Sequence, residues 1–264
     1  MKYYAEITHF DELVGQMRAE LESRGLWDNT LFIVCSEQGT QFPFAKWTCY
    51  DNGLRTGLVM NWAGVTRPGA VSGELLSIAD ITPTLVEVAG GILPAGACDG
   101  QSFLKTLRGE QQTLHDSVFG AFTNCKIIGN RERIYPIRVI RDKSFSLIHN
   151  PNHESLTSNV TIDGALSMLR NPEQTGRGVA ESWVTLSRKN PAAKPLARKL
   201  HHRPEFELYH LDKDPHELNN IIDNPEYQAV AEKLKKQLRA KLATLGDRDP
   251  IATEKALVQG KRKK

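Results

Sequence analysis

The sequence predicts an α/β fold in two parts: a helix–strand–loop–strand–helix segment over residues 1–112, then a small antiparallel sheet closed by a C-terminal helix. Three observations predict it. Phe10, Leu13, Val14, Met17 and Leu21 recur at helical spacing just ahead of the apolar, β-branched run Thr30–Cys35. Four short runs, 117–122, 135–140, 144–148 and 206–211, are separated by turn residues, the pattern of short antiparallel strands. Val230, Leu234, Leu238, Leu242 and Leu245 form one apolar stripe among lysines, which suits a surface helix packed on that sheet.

Each element has a local reason. Gly25 is placed to stop the first helix. Thr30–Cys35, bounded by Asn29 and Gly39, reads as a buried parallel strand, so Cys35 is expected as a buried free thiol. Gly57–Trp62 is a second run of strand length, and Gly64, Pro68 and Gly69 make a turn region. Ser77–Pro83 opens a helix with Asp80 as N-cap and Pro83 in its first turn; Leu85, Val86, Val88 and Ala89 are expected to face inward, and Gly90-Gly91 ends it. Helical patches are read over 163–170 and 178–187. Pro225 begins the last helix, and residues 248–264 read as a basic, disordered tail ending in Lys261-Arg262-Lys263-Lys264.

With 264 residues, 40% of them hydrophobic and 25% charged, the composition is that of a soluble globular chain. A net charge of +3 is too small to imply a polyanion. The lysines of the last helix are interleaved with acids and lack stacking aromatics, which argues against nucleic acid. No stretch of eighteen apolar residues is present, and the N-terminus lacks the apolar core of a secretory signal. Cys35, Cys49, Cys98 and Cys125 have no metal-type spacing.

The stretch richest in chemistry is Cys35-Ser36-Glu37-Gln38-Gly39, with Lys46 following. Ligands in open α/β sheets bind at the carboxyl ends of strands. A carboxylate beside an amide oxygen suits a hard cation such as Ca²⁺ or Mg²⁺, and Lys46 could neutralise an anion held there. The same residues also read as an ordinary polar loop.

Several segments together resemble the sulfatase family of the alkaline-phosphatase-like superfamily. Residues 3–39, YYAEITHFDELVGQMRAELESRGLWDNTLFIVCSEQG, resemble the helix and strand leading into that family's metal-binding turn. AKWTCYDNGLRTGLVMNWAG (45–64) is similar to the loop that follows it. SIADITPTLVEVAG (77–90) is similar to its D-x-x-P-T-L helix, and DGQSFLKTLRG (99–109) to the sequel. FELYHLDKDPHELNNIIDNPEY (206–227) resembles its C-terminal ELYDLxxDPxExxNL segment, and YPIRVIRDKSFSLIHNPN (135–152) the subgroup that includes heparan N-sulfatases.

The resemblance implies the C-terminal part of an alkaline-phosphatase-like α/β sandwich (1–112), followed by an antiparallel-sheet subdomain with a C-terminal helix (113–247). It implies hydrolysis of sulfuric esters or N-sulfo groups on sulfated, glycosaminoglycan-type sugars, with Ca²⁺ as cofactor. Glu37 and Gln38 fall on two metal-ligand positions and Lys46 on the sulfate contact. Cation and ammonium would neutralise charge on the sulfuryl oxygens. Full-length relatives are commonly exported.

The departures are equally specific. No cysteine or serine begins the C/S-x-P/A-x-R segment that supplies the family's formylglycine nucleophile, and the N-terminal Asp-Asp metal pair is missing. The expectation is therefore a chain that corresponds to the C-terminal half, with an exposed sheet edge and apolar face and no turnover by itself. The alternative is a non-catalytic remnant that binds sulfated glycans or a partner. His115 either lines the substrate cleft or is a solvated loop histidine; Arg138 and Arg141 either read substrate anions or form a polar strand face. Asn159-Val160-Thr161 matches a glycosylation sequon, and His201-His202 lacks metal spacing.

Overall fold

The computed structural model describes residues 2–110, 113–123 and 134–260. Its contacts divide the chain into two compact units, residues 1–37 with 56–115, and residues 38–55 with 116–264. The loop after the first strand thus folds with the second unit, although the sequence places it in the first.

In the first unit, helix α1 (Lys2–Ser23) ends at Gly25, whose φ of 67° is the left-handed conformation that glycine adopts at little cost. The Leu26 amide then donates to Leu21 O at 2.9 Å and the Gly25 amide to Glu22 O at 3.0 Å, the paired bonds of a Schellman stop. Phe10, Leu13 and Met17 on this helix are exposed. Strands β1 (Leu31–Cys35) and β2 (Leu58–Trp62) pair antiparallel, with Leu31 opposite Trp62 and Cys35 opposite Leu58.

This corrects the buried parallel strand expected for 30–35. A parallel partner needs a crossover connection; here the chain returns directly and the sheet has two strands, so β1 is half-buried. Cys35 is exposed with a free thiol. Helix α2 (Ile81–Val88) follows a 3₁₀ turn over Ile78–Asp80. Ser77 rather than Asp80 caps that turn; Asp80 takes the reciprocal part of a capping box, accepting from the Ser77 amide at 2.6 Å. Pro83 and Thr84 are the buried residues of α2, whereas Leu85 and Ala89, expected to face inward, are exposed.

The second unit is built on the antiparallel sheet that the four short runs predict: β3 (Val118–Thr123), β4 (Pro136–Arg141), β5 (Phe145–His149) and β6 (Phe206–His210), in the order β3-β4-β5-β6. Asp142 closes the β4–β5 turn by accepting from the Ser144 and Phe145 amides. Alternation assigns the side chains to two faces. Ile140, Leu147 and Leu208 face helix α6 (Gln228–Thr244) and pack on Ala231, Leu234, Leu238 and Leu242. Ile137, Val139, Ile148 and Tyr209 face the other way and pack on Cys49 and Tyr50 of the 38–55 loop. Helices α3 (Asp163–Arg170), α4 (Val179–Lys189) and α5 (Lys194–Lys199) form a third cluster around Met168, Val184 and Leu200, against which Phe44 of the same loop packs.

Residues Pro250–Gly260 form a further helix, α7, where the sequence suggests a disordered tail. The reason is local: Asp249 accepts from the Ala252 amide at 3.0 Å, an N-cap directly before a proline in the first turn. Glu254 of this helix is fully buried.

Leu238 is 2% exposed at the centre of the α6 stripe. Leu238→Ala is expected to cost about 2–5 kcal/mol through lost burial and a residual cavity, read as a lower urea midpoint. A change under about 0.5 kcal/mol would contradict this packing, because surface substitutions fall in that range.

Candidate functional site

The 38–55 loop is closed at its base before any side chain acts. The Gly39 amide donates to Gly53 O at 3.0 Å, and a Cβ on Gly39 would lie 1.7 Å from Asn52 O, so only glycine fits this approach. Further along, the Lys46 amide donates to Thr40 O at 2.9 Å. The residues bracketing Lys46 are in left-handed conformations, Phe44 at φ 60° and Trp47 at φ 67°. Such backbone persists where the surroundings over-determine it. Phe44 is held by Tyr50 (5.3 Å between ring centroids) and by Trp183 of α4 (5.7 Å). Lys46 itself is half-buried, with its ammonium 5.2 Å from the Trp47 ring centre.

What pins the loop is the segment after Lys46. Cys49 and Tyr50 are buried on the sheet, and the Tyr50 hydroxyl donates to Glu207 Oε2 at 2.8 Å. Glu207, fully buried on β6, also accepts from the Tyr209 hydroxyl and from Asn150 Nδ2 at 2.9 Å, and faces the Lys199 ammonium at 3.7 Å. A buried carboxylate requires such a set of donors. Lys199 lies over the rings of Phe44, Tyr50 and Tyr209 at 5.5, 4.7 and 4.6 Å, and burial lowers its pKa from the ordinary value. The Tyr50 and Tyr209 hydroxyls are pushed up by burial and by Glu207, so both remain donors. Next in sequence, the Asp51 amide donates to Glu217 Oε2 at 2.6 Å, and the Asp51 carboxylate pairs with Arg141.

The residues singled out from sequence meet different fates. Glu37 is exposed at the end of the first unit, and Gln38 is half-buried at the start of the second. His115 Nε2 donates to Asp80 Oδ2 at 2.9 Å, and Asp80 is fully buried, so this histidine braces the α2 entrance and is not a solvated loop residue. Arg138 is 2% exposed on the α6 side of the sheet, its Nε on Asp247 at 2.7 Å and its Nη1 on the Ile137 and Phe122 carbonyls. This placement corrects the substrate-contact reading: the guanidinium lies inside the unit. Asn159 of the sequon is 4% exposed and caps its own turn through the Thr161 amide. His201 is buried with Nδ1 on Thr157 O, and burial lowers its pKa to about 4. Burial pushes the Cys49 thiol up to about 12, which leaves it protonated and inert. Cys125 lies outside the described residues.

Among the described residues, no three His, Cys, Asp or Glu side chains gather into a metal site. Glu37 and Gln38 offer at most three side-chain oxygens where Ca²⁺ takes six to eight, so these two side chains alone do not fit that ion. No helix among the described residues is long and apolar enough to cross a membrane. The residues that sequence reasoning missed are Tyr50, Lys199, Glu207 and Glu217. Tyr50 stands four residues after Lys46, and the others are far away in sequence, so only the hydroxyl–carboxylate pairing across the sheet reveals them.

Solved structures share this fold. A protein solved in complex with its substrate D-glucosamine-2-N,6-O-disulfate superposes with a TM-score of 0.62 at 20% identity, covering 92% of this chain and 40% of that one. A sulfatase structure from Bacteroides thetaiotaomicron gives 0.56 at 19% identity over 83% of this chain and 37% of that one. The fold is thus that of the alkaline-phosphatase-like sulfatases. Residues 1–92 match the sulfatase family model, and residues 196–244 match the model for the C-terminal region of N-sulphoglucosamine sulphohydrolase. The chain belongs to the sulfatase family. An ulvan-active sulfatase of Formosa agariphila is 33% identical over 84% of this chain and 39% of its own length; the N-sulphoglucosamine sulphohydrolase of Homo sapiens is 27% identical over 89% and 46%. The chain therefore spans less than half the length of these relatives.

The burial of Arg138 has a stability consequence. Arg138→Ala removes the guanidinium that Asp247 Oδ2 meets at 2.7 Å inside the unit. A loss of about 3–5 kcal/mol is expected in chemical denaturation. Unchanged stability with weakened sulfated-sugar binding would restore the substrate-contact role.

Proposed function

We propose that this chain supplies the sulfate-contact loop and the C-terminal subdomain of a sulfatase-family hydrolase that acts on sulfated sugars. The observation that carries the reading is the 38–55 loop, which holds Lys46 between two strained residues and fastens them to the sheet through Tyr50. Family membership supports the reaction class, and the names of the human relative and of the substrate in the solved complex support N- or O-sulfated glucosamine as the substrate class.

In this reading the Lys46 ammonium binds the sulfate group by a charge-assisted contact, and its fixed backbone means that little ordering is needed on binding. Glu37 and Gln38 would hold one side of a Ca²⁺ site, which needs more ligands than these two side chains supply. The nucleophile motif is not among these 264 residues, so the chain alone binds but does not turn over.

Calorimetric titration of the pure chain with D-glucosamine-2-N,6-O-disulfate in Ca²⁺ buffer tests this. Lys46→Ala is expected to weaken binding by about ten- to a hundredfold, the range of a hydrogen bond between charged groups. Absence of binding by the wild-type chain, or equal binding by the variant, would remove Lys46 from this role. Sulfate release by the pure chain would overturn the statement that it does not turn over.

A further inference from the structure

The loop that carries Lys46 has a second fastening besides Tyr50, and its chemistry differs. Glu217 is 3% exposed, and its Oε2 accepts the Asp51 amide proton at 2.6 Å. Its Oε1 is buried without a hydrogen-bond partner among the described residues. Glu217 is in the left-handed region at φ 52°. It is the third non-glycine residue with positive φ among those described, and the other two, Phe44 and Trp47, flank Lys46. Asp214 holds this turn by accepting from the Leu218 and Asn219 amides at 3.1 and 2.8 Å, and the Glu217 carbonyl accepts from Lys199 Nζ at 2.7 Å. The turn thus fixes the backbone of Glu217, and its carboxylate meets the loop at the Asp51 amide.

Resting on the functional reading above, we propose that Glu217 is a positioning residue for the Lys46 loop and makes the closure of that loop proton-dependent: the neutral carboxyl keeps the loop seated, and its ionisation loosens it. Thereafter the sign follows from linkage. The groups facing Glu217 are Asp51, which is itself paired with Arg141 and 3.8 Å from Arg55, then Lys199 from α5, Cys49 and Tyr50 from the loop, and Tyr209 from β6. Burial raises its carboxyl from 4.5 to about 7, against the pull of the Asp51 amide, the Ser146 hydroxyl and the Lys199 charge, with the Asp51 charge adding to the rise. With the loop detached, the same carboxyl is hydrated and returns to the ordinary range. The seated state thus binds the proton more tightly. Seating is strongest in acid, weakens as pH rises from about 4.5 through about 7, and levels off above that.

Hydrogen exchange of the pure 264-residue chain, expressed as protection factors to remove the intrinsic pH effect, tests this. The reporters are the Gly39, Lys46 and Asp51 amides, with amides of β5 as the reference. Relative protection of the loop is expected to be about tenfold lower at pH 8 than at pH 6, from the two carboxyl affinities. Glu217→Gln, which keeps an amide oxygen for the Asp51 N–H but cannot ionise, is expected to hold the acid-side protection at both pH values. Glu217→Ala is expected to lose protection at both. A wild-type loop with flat relative protection, or a Glu217→Gln chain that titrates like wild type, would overturn the proposal. Lys46→Ala is expected to leave this titration intact. Loss of the sulfated-sugar reading and loss of the proton-dependent latch are therefore read from separate experiments.

Discussion

The second unit depends on one buried contact, the hydroxyl of Tyr50 on the carboxylate of Glu207. Tyr50 is 2% exposed and Glu207 fully buried, so neither group has water as an alternative partner. The contact ties a loop near the beginning of the chain to a strand more than 150 residues later. Around it, Asn150, Tyr209 and Lys199 complete the donor set, and the packing of Cys49 against Ile137, Val139 and Ile148 supplies the apolar burial. That anchor sustains the left-handed backbone at Phe44 and Trp47 together with the Phe44–Trp183 contact and the Asp51–Glu217 bond.

The sheet works as a divider between two kinds of interior. Its α6 face is aliphatic and makes an ordinary helix-on-sheet core. Arg138 intrudes there only because Asp247 and Glu254 meet it. The opposite face is where the polar network sits, and it is the face that holds the loop. This division explains why the C-terminal segment, with no candidate ligand of its own, bears on the site. It sets where Lys46 stands.

Much of the fold was legible because its signals are local. Short-range alternation and turn residues mark all four strands of the larger sheet, and the helical stripe on α6 marks its buried face through Leu242, while Leu245 beyond it is exposed. Strand partnering was not legible: an apolar run such as 31–35 looks the same in a parallel core and in a two-stranded antiparallel ribbon, and only the return path of the chain decides. The Asp249-Pro250 cap is a local signal that a basic tail composition obscures. Within the site, Lys46, Glu37 and Gln38 stand out through their spacing and family resemblance. Glu207 and Glu217 do not, because a carboxylate's role here depends on which amide or hydroxyl reaches it through space. Arg138 misleads for the same reason, since alternation places it on a face but does not say what covers that face.

A double-mutant cycle between Tyr50→Phe and Glu207→Leu tests the anchor most directly, by comparing unfolding free energies of the two single variants and the double variant. A coupling of about 1–3 kcal/mol is expected, because each single change leaves a buried polar group without its partner and the double change removes both halves of the contact. Additive effects, with coupling below about 0.3–0.5 kcal/mol, would contradict the claim that this contact holds the loop on the sheet.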